Sequence, residues 1–302
     1  MTIKTTIQIF RNAVLAIVVC VNHLCAAEID AVRTLQPTAC ASWPLWSRYQ
    51  AVFVQNDGRV IDYKFNDGVS TSEGQAYSLF FALVASDLEA FDRILQWTNV
   101  NLAQGDLGHQ LPAWHWGKRQ DGSWGTLDVT PASDADMWMA YTLIEAGRLW
   151  KNSAYDTTGR RLLEQIRQYE VVQLPGFGSM ILPAPRWFVL SKQRWRVNPS
   201  YLPLQLLRAF AKADPAGPWS ALAYSSVSMI HSTAPWGVVP DWALYDAKKG
   251  WTTDPDKGSG GSYDAIRVYL WAGMLHPEDS ERTVLLKNIR GAAAFLQANN
   301  SV

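Results

Sequence analysis

The sequence predicts an all-α chain of stacked helical hairpins. Three observations carry this reading. An apolar period near 3.6 residues recurs in nine segments. Helix-start residues, Ser or Pro, stand at the head of several of them. The strand-like pieces "RVIDYKF", "SMILPAP" and "GVVP" never alternate with helices as βαβ units.

In chain order the predicted helices are 43–54, 73–86, 88–98, 134–150, 157–170, 199–212, 218–231, 262–275 and 280–299. The second is a nearly unbroken apolar run opened by Ser/Thr residues and Glu73. Ser133 precedes the fourth, Pro199 opens the sixth and Ser262 begins the eighth. The segments between them are Gly-, Pro- and Trp-rich loops, with no low-complexity linker to mark a second domain. Consecutive helices joined this way stack as αα-hairpins in a bundle, a solenoid or a closed toroid.

Residues 1–27 read as a secretory signal peptide. Lys4 and Arg11 precede the apolar run 13–21, and "LCAA" offers small residues for cleavage after Ala27. The run is too short to span a bilayer, so no stable membrane insertion is expected once it is removed. The single domain is then 28–302. Its formal charge is −2, because the leader carries off Lys4 and Arg11 from a balance of 27 basic and 27 acidic residues. With no basic excess, nucleic acid is not an expected partner. Cys20 and Cys25 leave with the leader, and Cys40 alone cannot form an internal disulfide. The expected product is a periplasmic or secreted monomer held together by its core.

Fifteen tryptophans stand out. Large helical cores use Trp, which is the plain alternative. Several, however, lie where no helical period exists: Trp114, Trp116 and Trp124 in "LPAWHWGKRQDGSWG", and Trp187 and Trp195 in "LPAPRWFVLSKQRWRVNP". An indole on a loop is a flat apolar platform with one polar edge, and the face of a pyranose stacks on it. Trp114, Trp116, Trp124 and Trp195 are therefore candidate sugar contacts.

Three acids share one kind of place. Glu73, Asp134 and Asp264 each follow Ser or Gly residues at the mouth of an apolar helix, and Asp136 accompanies the second. Each has an ordinary structural reading. An acid in the first turn complements the helix dipole, and Ser70-x-x-Glu73 fits a capping box. That reading does not explain their company: Tyr77 one turn after Glu73, Trp138 after Asp134 and Tyr263 before Asp264. Carboxylates at the same ends of several helices converge on one face of a helical toroid. Two carboxyl groups flanking a cleft are the apparatus of glycoside hydrolysis.

The same residues carry a resemblance. "ASDADMWMAYTLIEAGRLW" (132–150) resembles the signature of glycoside hydrolase family 8, with Thr142 as a minor departure. "SEGQAY" (72–77) is similar to that family's acid-bearing segment, "YDAIRVYLW" (263–271) to its base-bearing segment, and "NPSYLP" (198–203) also matches. The resemblance covers most of the chain after the leader and is strongest to members encoded beside bacterial cellulose synthase. It implies an (α/α)6 toroid, an inverting mechanism, a β-1,4-glucan chain as substrate and no cofactor or metal. It further implies Glu73 as general acid, Asp264 as general base, and Asp134 at the sugar beside the scissile bond. Tyr201 and Tyr263 are expected in the cleft, and Arg267, one helical step from Asp264, is expected to hold that carboxylate ionised. Cellulose synthase machinery is the implied partner. A complete toroid has twelve helices and the sequence supplies nine, so the closing helices are expected to be lacking.

Rival readings are weaker. His109 and His115 are close in sequence, but no H-E-x-x-H or Cys/His cluster exists. "DPDKGSGGSYDA" begins like a calcium loop, yet Ala265 stands where the bidentate Glu belongs. No G-x-S-x-G elbow is present. A non-catalytic glucan-binding component would keep the tryptophans without needing the acids. Hydrolases of chitosan, xylan or mixed-linkage glucan are the remaining alternatives.

Overall fold

Each of the nine apolar segments becomes a helix, but two are divided, one at a proline and one at a glycine. The computed structural model describes residues 43–64 and 68–299; the leader read over 1–27 lies outside the described residues. Two units divide the chain, Met1–Val52 and Phe53–Val302. In the first, residues 44–52 form nearly all of helix α1 (Pro44–Phe53).

The helices of the second unit are α2 (Ser72–Val84), α3 (Leu88–Leu102), α4 (Ser133–Leu149), α5 (Ser153–Tyr169), α6 (Leu204–Ala213), α7 (Trp219–Thr233), α8 (Ala265–Met274), α9 (Ser280–Asn288) and α10 (Gly291–Asn299). The helix expected over 199–212 is split. Pro203 has no N–H to donate, so Pro199–Tyr201 forms a separate 3₁₀ turn and α6 starts after the proline. The helix expected over 280–299 breaks before Gly291. A Cβ at Gly291 would stand 2.3 Å from the Trp236 carbonyl oxygen, so only glycine allows this approach of the two backbones. Helix α5 starts a turn earlier than expected because Asn152 caps it, accepting from Ala154 N at 3.0 Å.

Helix α2 packs on α4. Helices α4 and α8 both pack on α6 and on the 3₁₀ turn. The intervening helices α3, α5, α7 and α9 return along their partners α2, α4, α6 and α8. The α4–α5 hairpin is the tightest, and small residues explain it. A Cβ at Gly147 would meet Asp156 N at 2.7 Å, and one at Gly159 would meet Ile144 N at 2.9 Å. The core of the layer includes Leu79, Met137, Met139, Leu143, Phe210 and Trp219, all fully buried. Stacking apolar helices this way removes their stripes from water, the main favourable contribution to folding.

Strands are confined to the connections. β1 (Ser70–Thr71), β2 (His115–Lys118) and β3 (Trp124–Asp128) form one antiparallel sheet. β4 (Val171–Leu174) pairs with β5 (Gly178–Ile181). β6 (Val189–Ser191), β7 (Arg194–Val197), β8 (Ala243–Asp246) and β9 (Gly250–Thr253) form a four-stranded meander. Two Trp-rich stretches read as loops are thus hairpins, β2–β3 and β6–β7. "SMILPAP" supplies most of β5. "RVIDYKF" contributes only isolated bridges, Val60 to Val54 and Asp62 to Val69, and "GVVP" forms no strand. Among the described residues, no helix is long and apolar enough to cross a membrane.

Candidate active site

None of the three acids supplies an N-cap side-chain bond to its helix, although Asp264 stands at the N-cap position of α8. Thr71, not Ser70, caps α2, its hydroxyl accepting from Gly74 N at 3.1 Å. Ser70 instead donates to Val60 O at 2.6 Å. The capping-box reading of Glu73 is therefore overturned: Thr71 takes the cap position and the Gly74 amide, and among the described residues the Glu73 carboxyl meets only its own backbone N–H and, at a long 3.4 Å, Ser72 Oγ. The cap of α8 comes from Asp241, whose carboxylate accepts from Ser262 N at 2.7 Å and Ala265 N at 2.8 Å. Asp264 is free of that duty. Asp134 accepts from Ala135 N with Oδ1 at 2.9 Å and keeps Oδ2 for another partner.

That partner is Arg267. Its Nη1 donates to Asp134 Oδ2 at 2.6 Å and to the Tyr77 hydroxyl at 3.3 Å, while Nη2 donates to Asp264 Oδ1 at 2.7 Å. Asn198 Nδ2 donates to the other Asp264 oxygen at 3.0 Å. The guanidinium lies over the Tyr201 ring, 5.3 Å from its centroid. One cation on α8 thus ties together α2, α4 and the 3₁₀ turn. This is not a surface ion pair: the Arg267 side chain is only 21% exposed and lies opposite an Asp134 that is 1% exposed. Charge-assisted bonds of this length are the strong class, and removal from water strengthens them further.

The electrostatics separate the carboxyl groups. Burial pushes Glu73 up to about 8, helped by the negative charge of Asp134 and resisted by Arg267. A carboxyl with that pKa is protonated at neutral pH. Burial also raises Asp134, but Arg267 pulls it back, and the guanidinium keeps its charge against its own burial because Asp134 faces it. Burial and the nearby acids Asp134 and Glu73 push the Tyr201 hydroxyl up, so it remains a neutral donor. Asp264 differs from Glu73 in that donors from two different elements meet its two oxygens. A protonated carboxyl and an acceptor carboxylate, held on separate helices, are the pair that acid–base cleavage of an acetal needs.

The aromatic candidates divide. Trp114 is 38% exposed, and its carbonyl accepts from Ser72 N at 2.9 Å, beside the acid. Tyr263, directly before Asp264, is 79% exposed. Trp116 and Trp124 lie together on the β2–β3 hairpin, against α3. Trp195 is buried in the meander and packs on Tyr245, its neighbour on β8. Trp138 is buried against Tyr77, Phe80, Tyr141 and Trp271.

Several residues escape a reading of the sequence alone. Asn198 lies in a matching segment without an evident role, and Asp241 gives no signal because its target is a helix more than 20 residues later. Asp136 stands out in the sequence only as the companion of Asp134. It meets Glu170, at the end of α5; both are fully buried. None of their four oxygens has a hydrogen-bond donor among the other described groups. Two carboxylates are acceptors only, so this contact is a bond when a proton lies between them. Burial raises both well above the usual carboxylate range; Glu170 adds to the rise of Asp136, whereas the Asp136 contact lowers Glu170 in part.

No group of three or more His, Cys, Asp or Glu side chains able to hold a metal occurs among the described residues. In the stretch that began like a calcium loop, Arg196 pairs with Asp254 and Asp256.

A helical-hairpin fold that holds opposed carboxyl groups at its helix mouths defines a glycoside hydrolase site. The chain belongs to the glycosyl hydrolases family 8, whose profile matches residues 24–300. It is 48% identical over 276 residues to an endoglucanase of Xanthomonas axonopodis pv. citri, covering 91% of this chain and 71% of that protein. An endoglucanase of Escherichia coli K12 is 44% identical, with 86% and 70% covered. Among solved structures, an endo-1,4-D-glucanase from Vibrio fischeri superposes with TM-score 0.83 at 42% identity, covering 86% of this chain and 75% of that one. Endoglucanase Cel10 from Klebsiella pneumoniae, a family 8 glycosyl hydrolase, gives 0.72 at 27% identity, with 84% and 78% covered. The fold is the all-α (α/α)6 class of these enzymes.

Proposed function

We propose that this chain is an endo-acting β-1,4-glucanase that inverts the anomeric centre, with Glu73 as general acid and Asp264 as general base. Glu73 gives its proton to the glycosidic oxygen as the C1–O bond breaks. Asp264 takes a proton from a water that adds to C1 from the opposite face, and the new reducing end has the α configuration. Asp134 and Tyr201 hold the sugar at the cleavage point; Arg267 keeps the Asp134 carboxylate in place, and that carboxylate stabilises the positive charge that develops on the ring. Trp114 and Tyr263, both exposed, offer stacking faces for the chain.

The observation that carries this reading is the asymmetry around Arg267. The guanidinium binds Asp134 and Asp264 but leaves Glu73 protonated, with its pKa near 8. The β-1,4 linkage is supported by relatives named as endoglucanases at more than 40% identity. The enzyme acts outside the cytoplasm as a monomer, trimming glucan in support of cellulose synthesis and export; the leader-like N-terminus supports this location. A panel of soluble polysaccharides with reducing-end detection tests the substrate. Cleavage of carboxymethyl-cellulose with a rapid fall in viscosity is expected, and activity confined to chitosan or xylan would overturn the assignment. Proton NMR of the first product tests inversion: the α-anomer must appear before mutarotation. Inversion also requires room for the water, with the two carboxyl groups about 6.5–9.5 Å apart in the substrate complex. Release of active enzyme on osmotic shock of the native host tests the location, and co-purification with the synthase tests the association.

A further inference from the structure

A second aromatic surface lies outside the ring of acids. Arg59, Gln96, Trp97, Trp116, Trp124 and Asp57 line an open cavity of about 590 Å³, within the usual range of ligand sites. Trp116 and Trp124 share one face of the β2–β3 hairpin, because Trp116 is paired with Thr126 and Trp124 with Lys118, two positions along each strand. Their rings stack with centroids 5.5 Å apart, and Trp97 of α3 meets Trp116 edge-on at 5.2 Å. Arg59 lies 4.6 Å from the centre of one ring and 4.8 Å from the other. Its own position is fixed by bonds to Ser70 Oγ at 2.9 Å and Gly68 O at 3.0 Å. The result is a rigid aromatic shelf. Trp124 remains 45% exposed on it, and the exposed side chains of Gln96 and Asp57 stand at its edge.

We infer that this shelf is a second glucan-binding site that holds the polymer away from the cleavage point. The inference rests on the β-glucanase reading above and deepens it. A β-linked glucose unit has two flat C–H faces and a rim of equatorial hydroxyls. It matches an indole face bordered by an amide and a carboxylate, which between them donate and accept hydrogen bonds at that rim. The shelf is open rather than enclosed, which suits a chain lying across it. One of its members, Trp97 of α3, stands on the α2–α3 helical hairpin that carries the general acid. Gln75, two residues after Glu73, donates to Thr98 Oγ1 at 2.8 Å, and Thr98 adjoins Trp97. On this reading a long chain occupies both places, and a short oligosaccharide occupies one.

The test uses Glu73→Gln protein, so that ligand is bound without being cut, and a neutral polymer, so that Arg59 does not bias the result through charge. In affinity electrophoresis through hydroxyethyl cellulose, adding Trp124→Ala is expected to weaken retardation about 3–10-fold, the contribution of one aromatic contact. Affinity for cellotetraose by calorimetry is expected to fall by less than half as much. Gln96→Ala, on the exposed side of α3, is expected to shift the polymer result in the same direction without disturbing the stacked rings, and it serves if Trp124→Ala does not fold. Equal losses for polymer and tetraose place Trp124 in the catalytic cleft and overturn the second site. Unchanged polymer affinity in both folded variants overturns it too. If the unmodified enzyme cuts no β-1,4-glucan, the glucanase reading itself has failed, a result distinct from either.

Discussion

Asp134 and Asp136 stand two residues apart on α4, equally buried, and they behave as different chemical groups. Asp134 faces Arg267 at 2.6 Å and is one arm of an ion-paired network. Asp136 faces Glu170, has no hydrogen-bond donor among the other described groups, and is raised by burial well above the usual carboxylate range. The sequence "SDAD" is the same local motif for both. What differs is the element that arrives opposite: α8 with a guanidinium in one case, the end of α5 with another acid in the other. Burial of a charge is tolerated when a partner meets it and is otherwise answered by protonation. Glu73 lies between these limits, close enough to Arg267 to feel it but not bonded to it.

The comparison can be broken most forcefully at Glu73. Replacing it by Gln removes the transferable proton but keeps size and polarity. Turnover of β-glucan is expected to fall about 10²–10⁴-fold with the fold intact by circular dichroism. Near-normal turnover would reduce Glu73 to a helix-terminus acid. Arg267→Met is the next largest. It strands Asp134 and Asp264 without a cation, and urea denaturation at pH 7 is expected to show a loss of about 3 kcal/mol together with nearly complete loss of turnover. A stable, inactive variant would mean that Arg267 serves the sugar alone and not the assembly of the centre.

Two smaller effects concern pH. Glu73 has its folded pKa raised to about 8 from 4.5. The unfolded chain therefore releases this proton first, and stability present below pH 4.5 is lost as pH rises toward 8. Relative to Glu73→Gln, the wild type should lose at most about 1.4 kcal/mol per pH unit across that window, measured by urea melts at pH 5, 6, 7 and 8. A matching fall of kcat/KM above pH 8 is expected, as the acid ionises in the free enzyme. The Asp136→Asn/Glu170→Gln pair sharpens the comparison. Amides donate and accept without a borrowed proton, so the double variant should lie within about 1 kcal/mol of wild type at pH 5. Because both acids are raised in the fold, wild type weakens as pH climbs above about 4.5, and the variant should weaken less. Equal slopes would show that the pair is ionised and held by something else.

Much of the fold and of the centre is legible in the sequence, for local reasons. Helix periods, Pro199 and Ser133 are short-range signals, and they locate the acids at the mouths of α2, α4 and α8. The resemblance of 132–150 and 263–271 to family 8 then gives those acids roles. What cannot be read depends on distant partners. Whether Glu73 caps its helix turns on Thr71 doing so instead. Whether Trp195 is exposed turns on the strand pairing that sets Tyr245 beside it. The pairing of Asp136 with Glu170 turns on the α4–α5 packing, which Gly147 and Gly159 allow but do not announce. The hairpins in the Trp-rich stretches escape notice because their aromatic residues give no clean alternation.

Arg267 also imposes an order in time. It lies 190 residues after Tyr77 and 133 after Asp134, so the contacts that complete the centre are among the most distant along the chain. During synthesis α2 and α4 are made and can pack on each other long before α8 exists. In that interval Asp134 has no cation, and leaving it open to water or protonated costs less than burying it charged. Closing such long loops is entropically expensive and slow. The first two helical hairpins can therefore form early, while the centre stays wet and inert until the last of its elements docks. Hydrogen-exchange labelling during refolding should show amides of α2 and α4 protected before those of α8, and enzymatic activity should return with the second group.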